Sequence, residues 1–229
     1  MRRIQRILDA AAHIIEADGI DDLSMQNLAD EAEVSISTLY NLVGGKDAIL
    51  LMLLSVEIDG LEMTAPEPGA DPITALGSLV DDFVTSFGMR ESLYRPLLFS
   101  LEGHPIVGQG ADELRLRTMV LVEESVADAI DAGLLGDDVP ATVIAHHVLL
   151  IAQMGLRNWS IGMTELEGFR AEVLSGLWLT LLAVATPSTR DRVLGELAAL
   201  EPAITELAER GRDAPQGPRI DDALAASSS

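Results

Sequence analysis

The sequence runs to 229 residues, 48% of them hydrophobic, with no cysteine and with 37 acidic residues against 15 basic ones, a formal charge of −22. Without cysteine there is no disulfide framework, no thiolate catalysis and no cysteine-held metal, and a reducing compartment is the natural setting. A chain this acidic repels nucleic acid wherever its charge is spread evenly, so contact with DNA would have to come from where the charges are placed.

The length suits one or two domains. The longest apolar runs, Ala48–Leu54 and Leu177–Ala185, fall short of the roughly 20 residues a membrane span needs. The stretch after Arg2 and Arg3 is broken by Gln5, Arg6, Asp9 and His13, unlike a signal peptide. A cytoplasmic protein without membrane contact is expected.

From Arg3 to Asp18, apolar residues at Ile4, Ile7, Leu8, Ala11, Ile14 and Ile15 form the stripe of an amphipathic helix, and Gly19 ends it. Arg2 and Arg3 precede this helix. They read either as an arm that reaches phosphates or the minor groove, or as a solvated positive terminus.

Ser24–Ala32 and Ser35–Val43 read as two short helices joined by a tight turn, with Ser24 and Ser35 as N-caps. Leu28 and Ala29 face inward on the first helix, and Ala29 is small enough for a close crossing. Ala32 and Val34 flank the turn, while Leu39 and Leu42 line the second helix. That leaves Ile36, Ser37, Tyr40 and Asn41 on an outer face, with Thr38 at its margin. Short or flat polar groups of this kind suit a major groove: an amide pairs with adenine, a hydroxyl donates or accepts, and Ile packs on a thymine methyl. Residues 1–8 and 34–46 contain no acid, whereas acids cluster at Asp18–Asp22 and Asp30–Glu33.

The segment Ile7–Leu50 contains ILDAAAHIIEADGIDDLSMQNLADEAEVS, then STLYN, then Lys46 six residues after Tyr40. It resembles the DNA-binding domain of the TetR family of bacterial transcriptional regulators; beyond it the likeness is one of architecture. The resemblance implies that Thr38, Tyr40 and Lys46 touch phosphates and that Ser24 does so from a helix N-terminus. The DNA-binding candidates are therefore Arg2, Arg3, Ser24, Ser35, Ile36, Ser37, Thr38, Tyr40, Asn41 and Lys46. Two residues depart from the family pattern. Glu33 stands where a turn glycine is usual, and a non-glycine residue at positive φ costs about 1 kcal/mol. Val43 stands where an aromatic residue is common, so looser packing is expected behind the reading helix.

Gly44–Gly45 breaks the helix, and a connecting helix from Lys46 to about Met63 joins the head to the rest. Thr64–Asp71 is a linker by composition. Helices are then predicted near Pro72–Gly88, Arg90–Leu101, Gln109–Ala132, Pro140–Ile161, Glu165–Thr186 and Ser188–Arg210, with a turn at His104–Pro105. Gly211–Ser229, rich in Gly, Pro, Ala and Ser, is expected to be a disordered tail. The fold class is all-α. A helix-turn-helix domain occupies 1–63 with its connecting helix, and a helical effector-binding and dimerisation domain occupies 72–210.

Val143–Trp159 and Val173–Ala185 are apolar almost all round, so both must be buried on two sides. The resemblance implies that these last long helices of the body form a four-helix dimer interface, with Trp159, Leu177, Trp178 and Leu181 as candidates. Phe83, Phe87, Tyr94, Phe99, Met119, His147 and Met154 are candidates to line an effector cavity, alongside Met89 and His146. His146 and His147 point about 100° apart on a helix, so a metal site is not expected. HExxH, P-loop and GxSxG motifs are absent from the sequence, and no enzyme activity or cofactor is expected. The sequence reads as a ligand-responsive regulator, a homodimeric repressor that binds a palindromic operator and is released by a small apolar or amphipathic effector. The alternative is a helical small-molecule-binding or interaction protein whose helix-turn-helix no longer binds DNA, favoured by the acidic balance and the arginine-free reading face.

Overall fold

Apolar residues recur at helical spacing through nearly the whole chain, and the architecture follows that period. The computed structural model describes residues 2–61, 69–102 and 107–213. These form α1 (Arg2–Asp18), a 3-10 turn (Ile20–Asp22), α2 (Met25–Glu31), α3 (Ile36–Val43), α4 (Lys46–Asp59), α5 (Pro72–Gly88), α6 (Glu91–Ser100), α7 (Val107–Asp131), α8 (Ala141–Ser160), α9 (Leu166–Val184) and α10 (Pro187–Asp213). Among the described residues, extended pairing is confined to one bridge between Leu135 and Ala185. None of the described helices is by itself long and apolar enough to cross a membrane.

Several helix ends differ from expectation. The connecting helix, expected to reach about Met63, stops at Asp59, with Gly60 as its C-cap. The first helix begins at Arg2, so Arg2 and Arg3 lie in its first turn rather than ahead of it; arginine is a good helix former and nothing there breaks the turn. The last helix continues past Arg210 to Asp213. The expectations for residues 62–68, 103–106 and 214–229 lie outside the described residues.

The head, α1 to α4, closes around Ile7, Ala11, Ile15, Leu28, Leu39, Ile49 and Leu53, all nearly or fully buried. In the body α9 is central, packing against α5, α8 and α10. Close approach is made possible by small residues. A Cβ on Gly77 of α5 would lie 2.9 Å from the Trp178 ring, and one on Gly155 of α8 would lie 2.6 Å from Val173. Head and body meet where α1 and α4 touch α6, and where α4 touches α7.

Candidate nucleic-acid interface and effector region

The Ser35 side chain caps α3 by accepting from the Thr38 backbone N–H at 3.1 Å. Its Oγ also lies 2.7 Å from Thr38 Oγ1 and 3.0 Å from Ser37 Oγ. Three hydroxyls are thus clustered at the N-terminus of α3. At about 100° per residue, the buried pair Leu39 and Val43 defines the inner face of α3. Asn41 sits two residues from each, about 160° around the helix from both. Its amide bonds to no described side chain, and it points away from the core with Ser37. Leu42 was expected to face inward beside Leu39, but it is 38% exposed while Val43 is 5% exposed. The spacing explains the exchange. Residues i and i+4 diverge by about 40° and i and i+3 by about 60°, so the narrow inner stripe of a two-turn helix takes Leu39 with Val43. The outer surface therefore carries Ile36, Tyr40 and Leu42 as exposed apolar groups flanking Ser37 and Asn41.

Ser24 caps α2, its side chain accepting from the Asn27 N–H. Lys46, the first residue of α4, donates from Nζ to the Ile20 carbonyl at 2.9 Å. One of its three donors is thereby held by the 3-10 turn, leaving two for a phosphate. Arg2, Arg3 and Arg6 are exposed and pair with no described carboxylate. The turn between α2 and α3 is made by Glu33 at φ 52°, the single non-glycine residue at positive φ among those described. Val34 N donates to Ala29 O and Glu33 N to Asp30 O, the paired 6→1 and 5→2 bonds of a Schellman end. The strain read from the sequence at Glu33 is present in the backbone.

In the body, three of the predicted effector residues come together. Phe87 meets Phe83 and Tyr94 edge-on, each at 5.2 Å, and Trp159 at 6.4 Å. Trp159 stacks on Phe169 at 5.8 Å, with the Arg95 guanidinium 5.9 Å from the Trp159 ring. The Trp159 indole N–H is buried without a partner, and leaving such a donor unsatisfied costs about 1–3 kcal/mol. Phe99, His147 and Met154 are exposed and lie outside this cluster, and Met119 is half-buried against the core. Phe169 was not singled out from the sequence; its spacing from Trp159 across a helix break carries no local signal.

The four dimer-interface candidates need correcting. Trp159 and Leu177 are 0% exposed, Leu181 is 0% and Trp178 is 5%, so all four belong to the core of one chain. Gly77 leaves room for the Trp178 ring, and Gly155 leaves room for Phe169, on which Trp159 stacks. The opposite face of the same two helices is open. Val143, Leu150 and Met154 of α8 and Leu179 of α9 are exposed apolar residues. A groove of about 420 Å³ between α8 and α9 is lined by Val143, His147, Ile151, Leu179, Thr180 and Ala183 among others.

A polar junction joins head to body. Arg90, just ahead of α6, donates from Nε to Glu16 of α1 at 2.9 Å and from Nη1 to Glu57 of α4 at 2.6 Å. The Tyr94 hydroxyl donates to the same Glu57 oxygen at 3.1 Å. Burial, reinforced by the Glu57 carboxylate, pushes the Tyr94 phenol up to about 12. The Glu16 and Glu57 carboxylates hold the Arg90 guanidinium above its ordinary value. No local motif announces this cluster, because its partners are 33 and 74 residues apart.

Residues 7–53 match the model of the amino-terminal domain of bacterial regulatory proteins of the tetR family. No curated protein matches the chain. Among solved structures, it is similar to a TetR-family transcriptional regulator from Marinobacter aquaeolei VT8, with TM-score 0.60 and 17% identity over 89% of this chain and 99% of that one. A TetR transcription regulator from Haloarcula marismortui ATCC 43049 gives TM-score 0.61 and 18% identity, covering 81% of this chain and 99% of that one. SmeT, the repressor of the Stenotrophomonas maltophilia multidrug efflux pump SmeDEF, gives TM-score 0.59 and 16% identity, covering 81% and 92%. At these identities the likenesses establish the fold.

Proposed function

We propose, from the match of residues 7–53 to the amino-terminal domain of tetR-family bacterial regulatory proteins and from the likeness of the fold to TetR-family structures, that the chain is a ligand-responsive transcriptional repressor acting as a homodimer on a palindromic operator. The observation that carries the reading is the face of α3. Anchored by Leu39 and Val43 and capped by Ser35, it leaves Ser37 and Asn41 uncovered on a helix of the right size for a major groove. Ser24, Ser35, Thr38, Tyr40, Lys46, Arg2 and Arg3 supply the phosphate contacts that fix register, while Ile36, Ser37 and Asn41 face base edges.

The open apolar face of α8 and α9 takes a second copy of the chain. Two heads related by a two-fold axis then read two half-sites about one helical turn or more apart. The effector is a small apolar or amphipathic molecule that enters the body near Phe83, Phe87, Tyr94, Trp159 and Phe169. An acceptor atom on it would satisfy the Trp159 N–H. Release from DNA is a population shift between head tilts, and a hundredfold drop in occupancy requires about 2.7 kcal/mol of preference for the non-binding tilt.

Selection of duplexes from a random pool by the full chain tests this reading. A two-fold symmetric sequence bound with a negative log–log salt slope, and weakened by Tyr40→Ala and Lys46→Ala, is the expected result. The charge of −22 and the engagement of Lys46 with Ile20 favour a second reading, a helical small-molecule-binding protein with an idle head. Equal, feeble affinity for every duplex would establish that one instead.

A further inference from the structure

We propose that Arg90 is a positioning residue for DNA reading, a latch that sets the angle between head and body and so the half-site spacing the dimer accepts. The proposal rests on the regulator reading above. Its observations are the two carboxylates that one guanidinium holds from two different helices. Glu16 comes from α1, which carries the head, and Glu57 comes from α4, which leads from the head to the body. Arg90 itself belongs to the body at the start of α6, and Tyr94, one turn on, shares Glu57. A planar fork with donors on separate nitrogens can bridge two acids in a fixed direction, which a lysine cannot. Turning the head relative to the body requires at least one of these bonds to break.

The side chains of Arg90 and Glu16 are 38% and 32% exposed, and an ion pair at that exposure contributes little to overall stability. Glu57 is only 16% exposed, so the second pair contributes more; removing the latch costs some stability and frees the angle. Tyr94 also packs edge-on against Phe87, so the latch is continuous with the aromatic cluster of the body. Arg95 provides a contrast. It pairs with Glu91 and Glu165 and donates to the Thr164 carbonyl, all described partners in the body.

Spacing selectivity is the readout that a merely structural role would not move. The probe is the duplex selected by the wild-type full-length chain, remade with its half-sites one base pair closer, and one and two base pairs farther apart. Each added base pair turns one half-site by about 35° and moves it about 3.4 Å. The wild type should lose roughly 30-fold or more in affinity per step, whereas Arg90→Gln should bind all four spacings within about 5-fold. Arg95→Gln should keep the wild-type preference. Glu16→Gln takes the charge from one bond and Tyr94→Phe removes another; each should relax the preference partway, which keeps the test decisive if Arg90→Gln folds poorly. Together with Arg90→Gln they should add nothing further. Arg90→Gln, Glu16→Gln and Tyr94→Phe variants that keep the wild-type spacing preference would overturn the latch alone. A wild type that selects no two-half-site duplex would overturn the regulator reading and the latch with it.

Discussion

The outer face of α3 and the outer face of the α8–α9 pair are both left uncovered by the chain, and they are built on opposite terms. On α3 the exposed set mixes hydroxyls and an amide with Ile36, Tyr40 and Leu42. A face like this loses little by standing in water and gains hydrogen bonds only against another polar, hydrated surface. On α8 and α9 the exposed set is Val143, Leu150, Met154 and Leu179 beside an apolar groove. Such a face gains from any apolar partner, at about 25 cal/mol per Å² removed from water. One region is suited to a partner read atom by atom, the other to a partner matched by area and shape.

The largest expected effects come from setting the two faces of α9 against each other. Trp178→Ala removes a fully packed ring seated on Gly77 and should cost about 3–5 kcal/mol in chemical unfolding. Leu150→Glu with Leu179→Glu changes only exposed positions. It should leave the subunit folded, convert a dimer to a monomer in sedimentation, and reduce operator affinity by at least about 100-fold through loss of the second half-site. A stable, dimeric double variant would show that the second copy binds elsewhere.

On α3 the effects should be smaller and of two kinds. Asn41→Ala removes the exposed amide proposed to read base edges and should cost about 1–3 kcal/mol against the preferred sequence while leaving the salt slope unchanged. Arg2→Gln with Arg3→Gln should weaken all duplexes alike and flatten the slope by nearly 2. If Asn41→Ala weakened every sequence equally, Asn41 would be a backbone contact rather than a reader.

How much of this was legible in the sequence follows the same division. The helix-turn-helix could be read because its signals are local: Ser24 and Ser35 cap their helices, Ala29 is buried, and Glu33 takes the positive φ of the turn. Leu42 could not be placed, because in a two-turn helix the choice between i+3 and i+4 is settled by the neighbouring helices. The inward turn of Trp159 and Trp178 was hidden for a related reason. A helix apolar all round has no periodicity to say which side faces home, and the partners that receive the two rings, Gly77 against Trp178 and Phe169 against Trp159, lie on other elements. Arg90 with Glu16 and Glu57 was hidden by distance along the chain.

The Tyr94 junction gives a spectroscopic check at the boundary between head and body. The chain has two tyrosines, so Tyr40→Phe leaves Tyr94 as the only phenol. Its ionisation, followed by ultraviolet absorbance, should have a midpoint near 12. The folded value lies above the ordinary phenol value of 10.0, so burial and Glu57 favour the neutral form. That contribution is complete below about pH 10 and is lost as pH rises through about 12. Glu57→Gln removes one of the two causes and should lower the midpoint; an unchanged midpoint would leave burial as the whole explanation.

The smallest effect compares one motif in the two regions. Three helices end with the same pair of bonds: at Val34 and Glu33 in the head, and at Leu134 with Gly133 and Met163 with Gly162 in the body. The body uses glycine at φ 70° and 77°, the head a glutamate at 52°. An L-residue in this region costs about 1–2 kcal/mol, partly offset because glycine also frees the unfolded chain. Glu33→Gly should therefore stabilise the DNA-free protein by about 0.5–1 kcal/mol, a rise in melting temperature of about 1–3 °C. Gly133→Ala, where an added Cβ meets nothing within 4 Å, should lower stability by about 1 kcal/mol through backbone conformation alone. If both substitutions were neutral, backbone strain would not distinguish the turn in the head from those in the body, and the glutamate at the reading turn would carry no cost in stability.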